Sequence, residues 1–560
     1  MSDFIKNLSN RQPAFHWLVI FLGTFAAYSN IFGNQFVMDD HDFITGWPLI
    51  QDWNNFFRFF VHYIPPDGQG GIYSPFKTII HAVNYHLFGQ NPFGYHVVSL
   101  LIHAAGIIFV YRICKQLTLS LPVSFASAFF FGIHPVQTEA ITYMTASVDM
   151  AGVVFLFASF FFYLKSNQGD PLNPSAFSNR RFYFWSLFFA FLSIFTHELA
   201  VSLPLLFLWY ELCLNLHKQN WSGLARRMMP FFMITFGYVV AKYVVLNTIT
   251  RGGYLYDSFY WTMLVMIKAI AQYVVLVIFP WRLTVNHTIS DGIFSYDQDD
   301  FNRGAVLSQS ILDSQVLLSL GLIAVAGYTA LHYYKRKPLV TFLIGWFFIS
   351  LLPTMNIIPS GIYFGERYLY PGLWAFCLLV ALLFNHAFSE IKPRWVSAGL
   401  VVALIMFYGA RTWLRNRDWK DEISIYQAIV RDSPQSAFMN RDLGIVYLEH
   451  NQPFQAIDHL GKAARLKPDN PYILFSLAEG YTDLQEYDKA KDALLKAIAA
   501  QPDFADAHYN LAGIYMQLGQ KDQAIGSLNK SADLYQQQGR YLEGLEYKRL
   551  FIDYFENASL

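Results

Sequence analysis

Through residue 411 the chain alternates long apolar runs with short polar breaks; beyond it, apolar positions recur three and four residues apart among charged ones. A hydrocarbon core about 30 Å thick takes roughly 20 residues of helix to cross. Runs meeting or approaching that length lie at 15–33, 94–114, 119–133, 148–164, 182–195, 199–216, 228–246, 316–333, 339–357, 368–383 and 395–410, with a twelfth candidate at 259–279. The first run has no small-residue cleavage site and reads as an anchor.

Lys and Arg accumulate on the cytoplasmic side of membrane helices. Lys6 and Arg11 therefore place the N-terminus inside, and alternation puts Arg112 and Lys115, Lys165 with Arg180 and Arg181, and Lys218 with Arg226 and Arg227 on the same side. A crossing at 259–279 would send Lys335–Lys337 and Lys392 with Arg394 outside, so that segment is expected to re-enter or lie in the interface. Lys268 within it agrees, because a charge at mid-membrane is costly unless partnered. About eleven crossings result, with the C-terminal domain outside in the periplasm or the lumen of the endoplasmic reticulum.

In the second pattern Pro434, Pro468 and Pro502 recur at a spacing of 34, as do Tyr447, Tyr481 and Tyr515, and Ala456, Ala490 and Ala524. Gly444, Ala478 and Ala512 keep the same register. This is a tetratricopeptide array of stacked helical hairpins. Residues 421–431 read as its leading helix and 541–555 as an amphipathic cap. The fold expected is all-α: a polytopic membrane domain over 1–411, a linker and leading helix over 412–435, and a repeat solenoid over 436–560. Such arrays hold an extended segment of another protein in a concave groove, or serve as a scaffold or oligomerisation surface.

Charge sharpens the division. Residues 1–411 carry 24 Lys/Arg and 19 Asp/Glu against 16 and 21 in residues 412–560, a rise from about 10% to about 25% charged, the latter being ordinary for soluble domains. Neither half is basic enough for nucleic-acid binding. Cys114, Cys213 and Cys377 lie in or beside apolar runs and form neither a disulfide framework nor a metal set.

The expected outer loops hold most of the candidate chemistry. Asp39 and Asp40 follow the first run in "NQFVMDDHDFI"; two adjacent acids raise one another's proton affinity and offer a general base, although such a pair also serves as a helix cap. His134, Gln137 and Glu139 lie between the third and fourth runs, Asp149 opens the fourth, His197 and Glu198 join the fifth to the sixth, and Glu366 and Arg367 precede the tenth. Polar groups at helix mouths tend to face a cavity, with interfacial hydration or capping as the alternative. Arg367 suits a phosphate, because guanidinium offers a planar fork of donors and stays charged. No HExxH or CxxC spacing marks a metal site, and no Walker or dinucleotide glycine motif is present.

The order of these motifs resembles the transmembrane O-mannosyltransferases that carry tetratricopeptide repeats, members of the wider GT-C class of membrane glycosyltransferases. The resemblance runs from about Gly33 to Asp533 and rests on "FVMDD", "YSPFKTIIHAVNYHLFGQNPFGYHVVSLLIHA", "HPVQTEAI" followed by Asp149, "THELAVSLP", "FGERYLYP" and "RTWLRNRDWKDEISIY". It implies an enzyme that moves a sugar, typically mannose, from a polyprenyl-phosphate donor to Ser or Thr hydroxyls of proteins outside the cytosol. No resident cofactor is implied beyond that lipid-linked donor, with or without a divalent cation, and the repeats would receive the acceptor. The family's base maps to Asp39, with Asp40 as its neighbour, and its phosphate contacts map to Arg367 and His197. The family pattern has Lys where His197 stands, His at Gln137 and Arg at Ser147, so less fixed positive charge is expected here. Two other readings keep the architecture: transfer to a lipid or surface glycan, or a non-catalytic membrane-anchored repeat scaffold.

Overall fold

The computed structural model describes residues 13–61, 72–167, 179–215, 221–290, 293–294, 310–391 and 393–540. Lys6, Arg11, Lys218, Lys392 and the expected cap at 541–555 lie outside the described residues. The chain divides into two compact units, Met1–Ile425 and Tyr426–Leu560.

The first unit is built from α1 (Pro13–Tyr28), α2 (Pro75–Phe88), α3 (Pro92–Thr118), α4 (Leu121–Ile133), α5 (Met144–Ser166), α6 (Arg180–Thr196), α7 (Leu203–Leu214), α8 (Trp221–Leu246), α9 (Phe259–Ile278), α10 (Ser314–Tyr333), α11 (Pro338–Leu351), α12 (Tyr370–Glu390) and α13 (Arg394–Asn416). Pro75, Pro92 and Pro338 stand in the first turns of their helices, where a missing N–H costs nothing. Among the described residues seven helices are long and apolar enough to cross a membrane: α3, α5, α8, α9, α10, α12 and α13. α1, α4 and α11 are shorter and equally apolar. α5 is buried over nearly its whole length, and its apolar residues run all round it, as befits a helix enclosed by neighbours. At its centre Phe160 packs on Trp346 of α11, ring centres 4.6 Å apart.

Contacts distinguish the unit's two ends. At one, Arg112 and Lys165 share the ring of Phe161, Arg227 pairs with Glu211, and Tyr334, next to Lys335–Lys337, donates to the Leu212 carbonyl. The basic clusters therefore gather at one end. At the other lie the turns after α1, α4, α6, α8 and α11.

α9 meets that second end along its length. Its Thr262 hydroxyl accepts from Leu255 N–H, Met266 Sδ contacts Asn356, Lys268 Nζ stands 3.4 Å from Asp313 Oδ2, Tyr273 OH accepts from Gly365 N–H, and the Val277 carbonyl meets His134. Lys268 is thus a partnered charge, and its presence carries no weight against burial.

Around it the helix Glu422–Asp432 (α14) leads into the second unit, one residue later than its sequence suggests. Three hairpins follow there: α15 (Ala437–Glu449) with α16 (Pro453–Leu466), α17 (Pro471–Asp483) with α18 (Tyr487–Ala500), and α19 (Ala505–Gln517) with α20 (Lys521–Gln537). Each hairpin turns through a left-handed residue, Asn451, Gln485 or Gly519, again 34 apart. Gly444 lets α16 approach, for a Cβ there would sit 2.5 Å from Leu460 Cγ. The linker residues 412–425 belong to the first unit, where Thr412, Arg415, Asn416 and Trp419 are buried.

Candidate active site

The junctions at the end opposite the basic clusters converge on one cavity. Asp39, Lys77, Asp149, His197, Arg251 and Arg367 are among the residues lining it.

The acid pair divides its work. Asp40 is fully buried: one oxygen accepts from Thr145 N–H (2.8 Å) and its hydroxyl (2.6 Å), the other from Val37 N–H (3.2 Å). Burial pushes its carboxyl up to about 7 against the pull of those three donors. Anchoring Asp40 to the start of α5 leaves Asp39 exposed at the cavity wall. Of the three carboxylates lining the cavity, Asp39 is the one without an ion-pair partner among the described residues; Asp149 and Glu198 are both taken.

Asp149, in the second turn of α5, receives Lys77 Nζ at 2.7 Å. Lys77 enters from the first turn of α2 and is almost wholly buried. Gly152, a turn beyond Asp149, admits the end of α6: a Cβ there would meet His197 Cβ at 3.0 Å and its N at 3.2 Å. That close approach brings His197 Nε2 to 3.6 Å from Asp149 Oδ2, while Nδ1 accepts from Leu199 N–H. Burial holds the His197 ring at about 4 despite Asp149, so it is neutral at physiological pH.

Glu198 takes Lys242 at 2.7 Å and Arg251 at 3.1 Å. Burial alone would raise its carboxyl, but the two cations outweigh it and hold it at about 2. Arg367 pairs with Glu139, whose second oxygen accepts the backbone N–H groups of Glu366 and Arg367. Glu139 thus fixes the Arg367 backbone and guanidinium together, from behind the cavity.

Two candidates lie elsewhere. His134 caps the turn Pro135–Gln137 through Nδ1 and meets the Val277 carbonyl through Nε2, so both ring nitrogens are used on backbone groups. Glu366 is buried beneath Thr284 N–H and His287. Both were expected at the site, and neither lines the cavity: His134 spends both ring nitrogens on backbone groups, and Glu366 turns one oxygen to Thr284 and His287. Among the described residues no group of three His, Cys, Asp or Glu is placed to hold a metal ion.

A tetratricopeptide repeat family model matches residues 477–539. Over 481 residues the chain is 24% identical to a protein O-mannosyl-transferase of Caenorhabditis elegans, covering 83% of this chain and 64% of that protein. Protein O-mannosyl-transferase Tmtc3 of Drosophila melanogaster is 23% identical, with 75% and 51% covered, and TMTC3 of Homo sapiens 22%, with 75% and 47%. The chain is a homologue of the protein O-mannosyl-transferases. It spans 47–64% of the length of these three relatives. Among solved structures, the crystal structure of MamA is 23% identical, covering 27% of this chain and 96% of its own at a TM-score of 0.20.

In this O-mannosyl-transferase homologue, Lys77, Arg251 and Thr145 also line the cavity, and none is singled out by sequence. Lys77 sits in "SPFKTIIHA", where a lone Lys inside an apolar helix is the signal available. Arg251 and Thr145 have no local signature; tertiary convergence alone recruits them. Three fixed cations, Lys77, Arg251 and Arg367, therefore face the cavity, each backed by a carboxylate.

Proposed function

We propose that the protein transfers a sugar, mannose by its homologues' names, from a polyprenyl phosphate to Ser or Thr hydroxyls of exported proteins. The observation that carries this reading is one carboxylate, Asp39, without an ion-pair partner among the described residues, sharing a cavity with three carboxylate-backed cations. Asp39 removes the hydroxyl proton as the oxygen attacks the anomeric carbon from the face opposite the phosphate, through a transition state of oxocarbenium character. Arg367, Lys77 and Arg251 meet the charge that develops on the departing phosphate, which then needs no proton. A single displacement inverts the anomeric centre.

Placement across the bilayer supports the same reading. Basic clusters at the far end support a cytosolic placement of that end, with the cavity on the other side. The repeats, following Glu422, engage the acceptor segment.

Purified protein supplied with mannosyl-phosphoryl polyprenol and a Ser/Thr peptide should release polyprenyl phosphate and glycosylate the peptide. Asp39→Asn should lower kcat by about 10²–10⁴-fold, the range of a lost general base. Unchanged turnover by that variant defeats the assignment, and transfer to a lipid or glycan but not the peptide replaces the acceptor. A protein inert with every acceptor, whose phenotype depends on residues 421–560 alone, is a scaffold.

A further inference from the structure

The loop that bears the acid pair is gripped by a residue far along the chain. Met38 has φ of +52°, a left-handed conformation unusual for a side chain of its size. Holding it is unfavourable, so the surroundings must enforce it. Its N–H donates to Glu422 Oε1 at 3.2 Å. The other oxygen of the same carboxylate lies 3.2 Å from His41 Nε2. One side chain therefore ties the residue before Asp39 and the residue after Asp40.

The stretch leading to Glu422 braces the same loop. Gln35 N–H donates to the Lys420 carbonyl at 2.8 Å, Asn34 Nδ2 to the Asn416 carbonyl at 3.1 Å, and Trp419 stacks on Tyr143, a cavity residue, at 5.3 Å. Thr145 holds Asp40 from the other side. Between these two supports Asp39 has no side-chain partner of its own among the described residues, so its direction is set by its neighbours.

We propose that Glu422 is a positioning residue for Asp39, clamping Met38 and His41 so that the unpaired carboxylate stays aimed into the cavity. The proposal rests on Asp39 as the base. Glu422 also opens the helix that leads into the repeats, and the clamp it makes lies wholly within the first unit. Displacing a reacting group by about 1 Å costs on the order of 10²-fold in rate, which sets the scale of the effect.

The test uses the full chain in nanodiscs, with Glu422→Ala, Glu422→Gln and Glu422→Asp beside Asp39→Asn. In Glu422→Ala, amides of residues 36–43 should exchange hydrogen about tenfold faster, while those of other outer loops keep their rates. Its kcat should fall at least about tenfold, with KM for donor and peptide within about twofold, as expected when orientation rather than binding is lost. Glu422→Asp should restore part of kcat. Glu422→Gln, which still accepts from Met38 but lacks the charge facing His41, should fall between, and it carries the test if the Ala variant does not fold. Unchanged exchange at 36–43, or kcat within about twofold of the parent, overturns the proposal. Full turnover by Asp39→Asn sinks the base assignment separately, and the exchange measurement still decides whether Glu422 clamps the loop.

Discussion

Adjacent aspartates differ here in everything but sequence position. Asp40 satisfies three donors in the interior, while Asp39 stands exposed with no side-chain partner among the described residues. Because Asp40's folded pKa, about 7, exceeds its ordinary 3.8, the folded protein holds a proton that the unfolded chain has released between those values. Stability from this group is full below pH 3.8 and is lost as pH rises toward 7. Asp40→Asn removes that dependence, so thermal unfolding between pH 5 and 7.5 should fall less steeply in the variant than in the parent. Asp40→Ala should instead lower stability at every pH by about 1–3 kcal/mol, the cost of stranding buried donors. An identical pH slope in Asn variant and parent shows that Asp40 does not titrate in this range.

Helices and turns explain which parts of the site can be read from a sequence. Pro434, Tyr447 and Ala456 recur 34 residues on because each hairpin packs against the next in the same way, so one repeat constrains the rest. The cavity has no such redundancy. Asp39, Asp149, Glu198 and Arg367 announce themselves by lying at apolar-run boundaries, and all four reach it. The same rule includes His134 and Glu366, because a capping side chain and a catalytic one occupy identical positions in the pattern. Lys77 and Arg251 come from segments whose meeting depends on how α2 and the turn after α8 pack. Gly152 shows how an element decides the outcome: its missing side chain lets α6 bring His197 against α5. Gly152→Val should force these helices apart, cost about 1–3 kcal/mol in stability and lower kcat more than KM. Thermal unfolding with transfer kinetics checks this, and a variant matching the parent in both shows that the contact has slack.

The placement of the whole molecule turns on α9. Twenty residues at 1.5 Å each give about 30 Å, enough to cross a bilayer, and its composition permits it. Yet Thr262, Met266, Lys268, Tyr273 and Val277 all find partners in the turns at the cavity end, from one end of the helix to the other. A helix running to the opposite end would carry its later residues away from those turns, toward Arg227 and Lys335. Excluding α9 from the crossings keeps the basic clusters on one side; including it divides them. Asp257 and Arg282 flank the helix and are exposed, whereas Cys114, Cys213 and Cys377 are buried. Asp257→Cys and Arg282→Cys should therefore both react with a membrane-impermeant maleimide applied to the non-cytosolic face, and Lys335→Cys only after permeabilisation. Labelling of residues 257 and 282 from opposite faces would make α9 a crossing helix, reverse every later segment and place residues 416–422 in the cytosol. Because Glu422 bonds to the Asp39 loop, that outcome would require the acid pair to move with it to the cytosolic side.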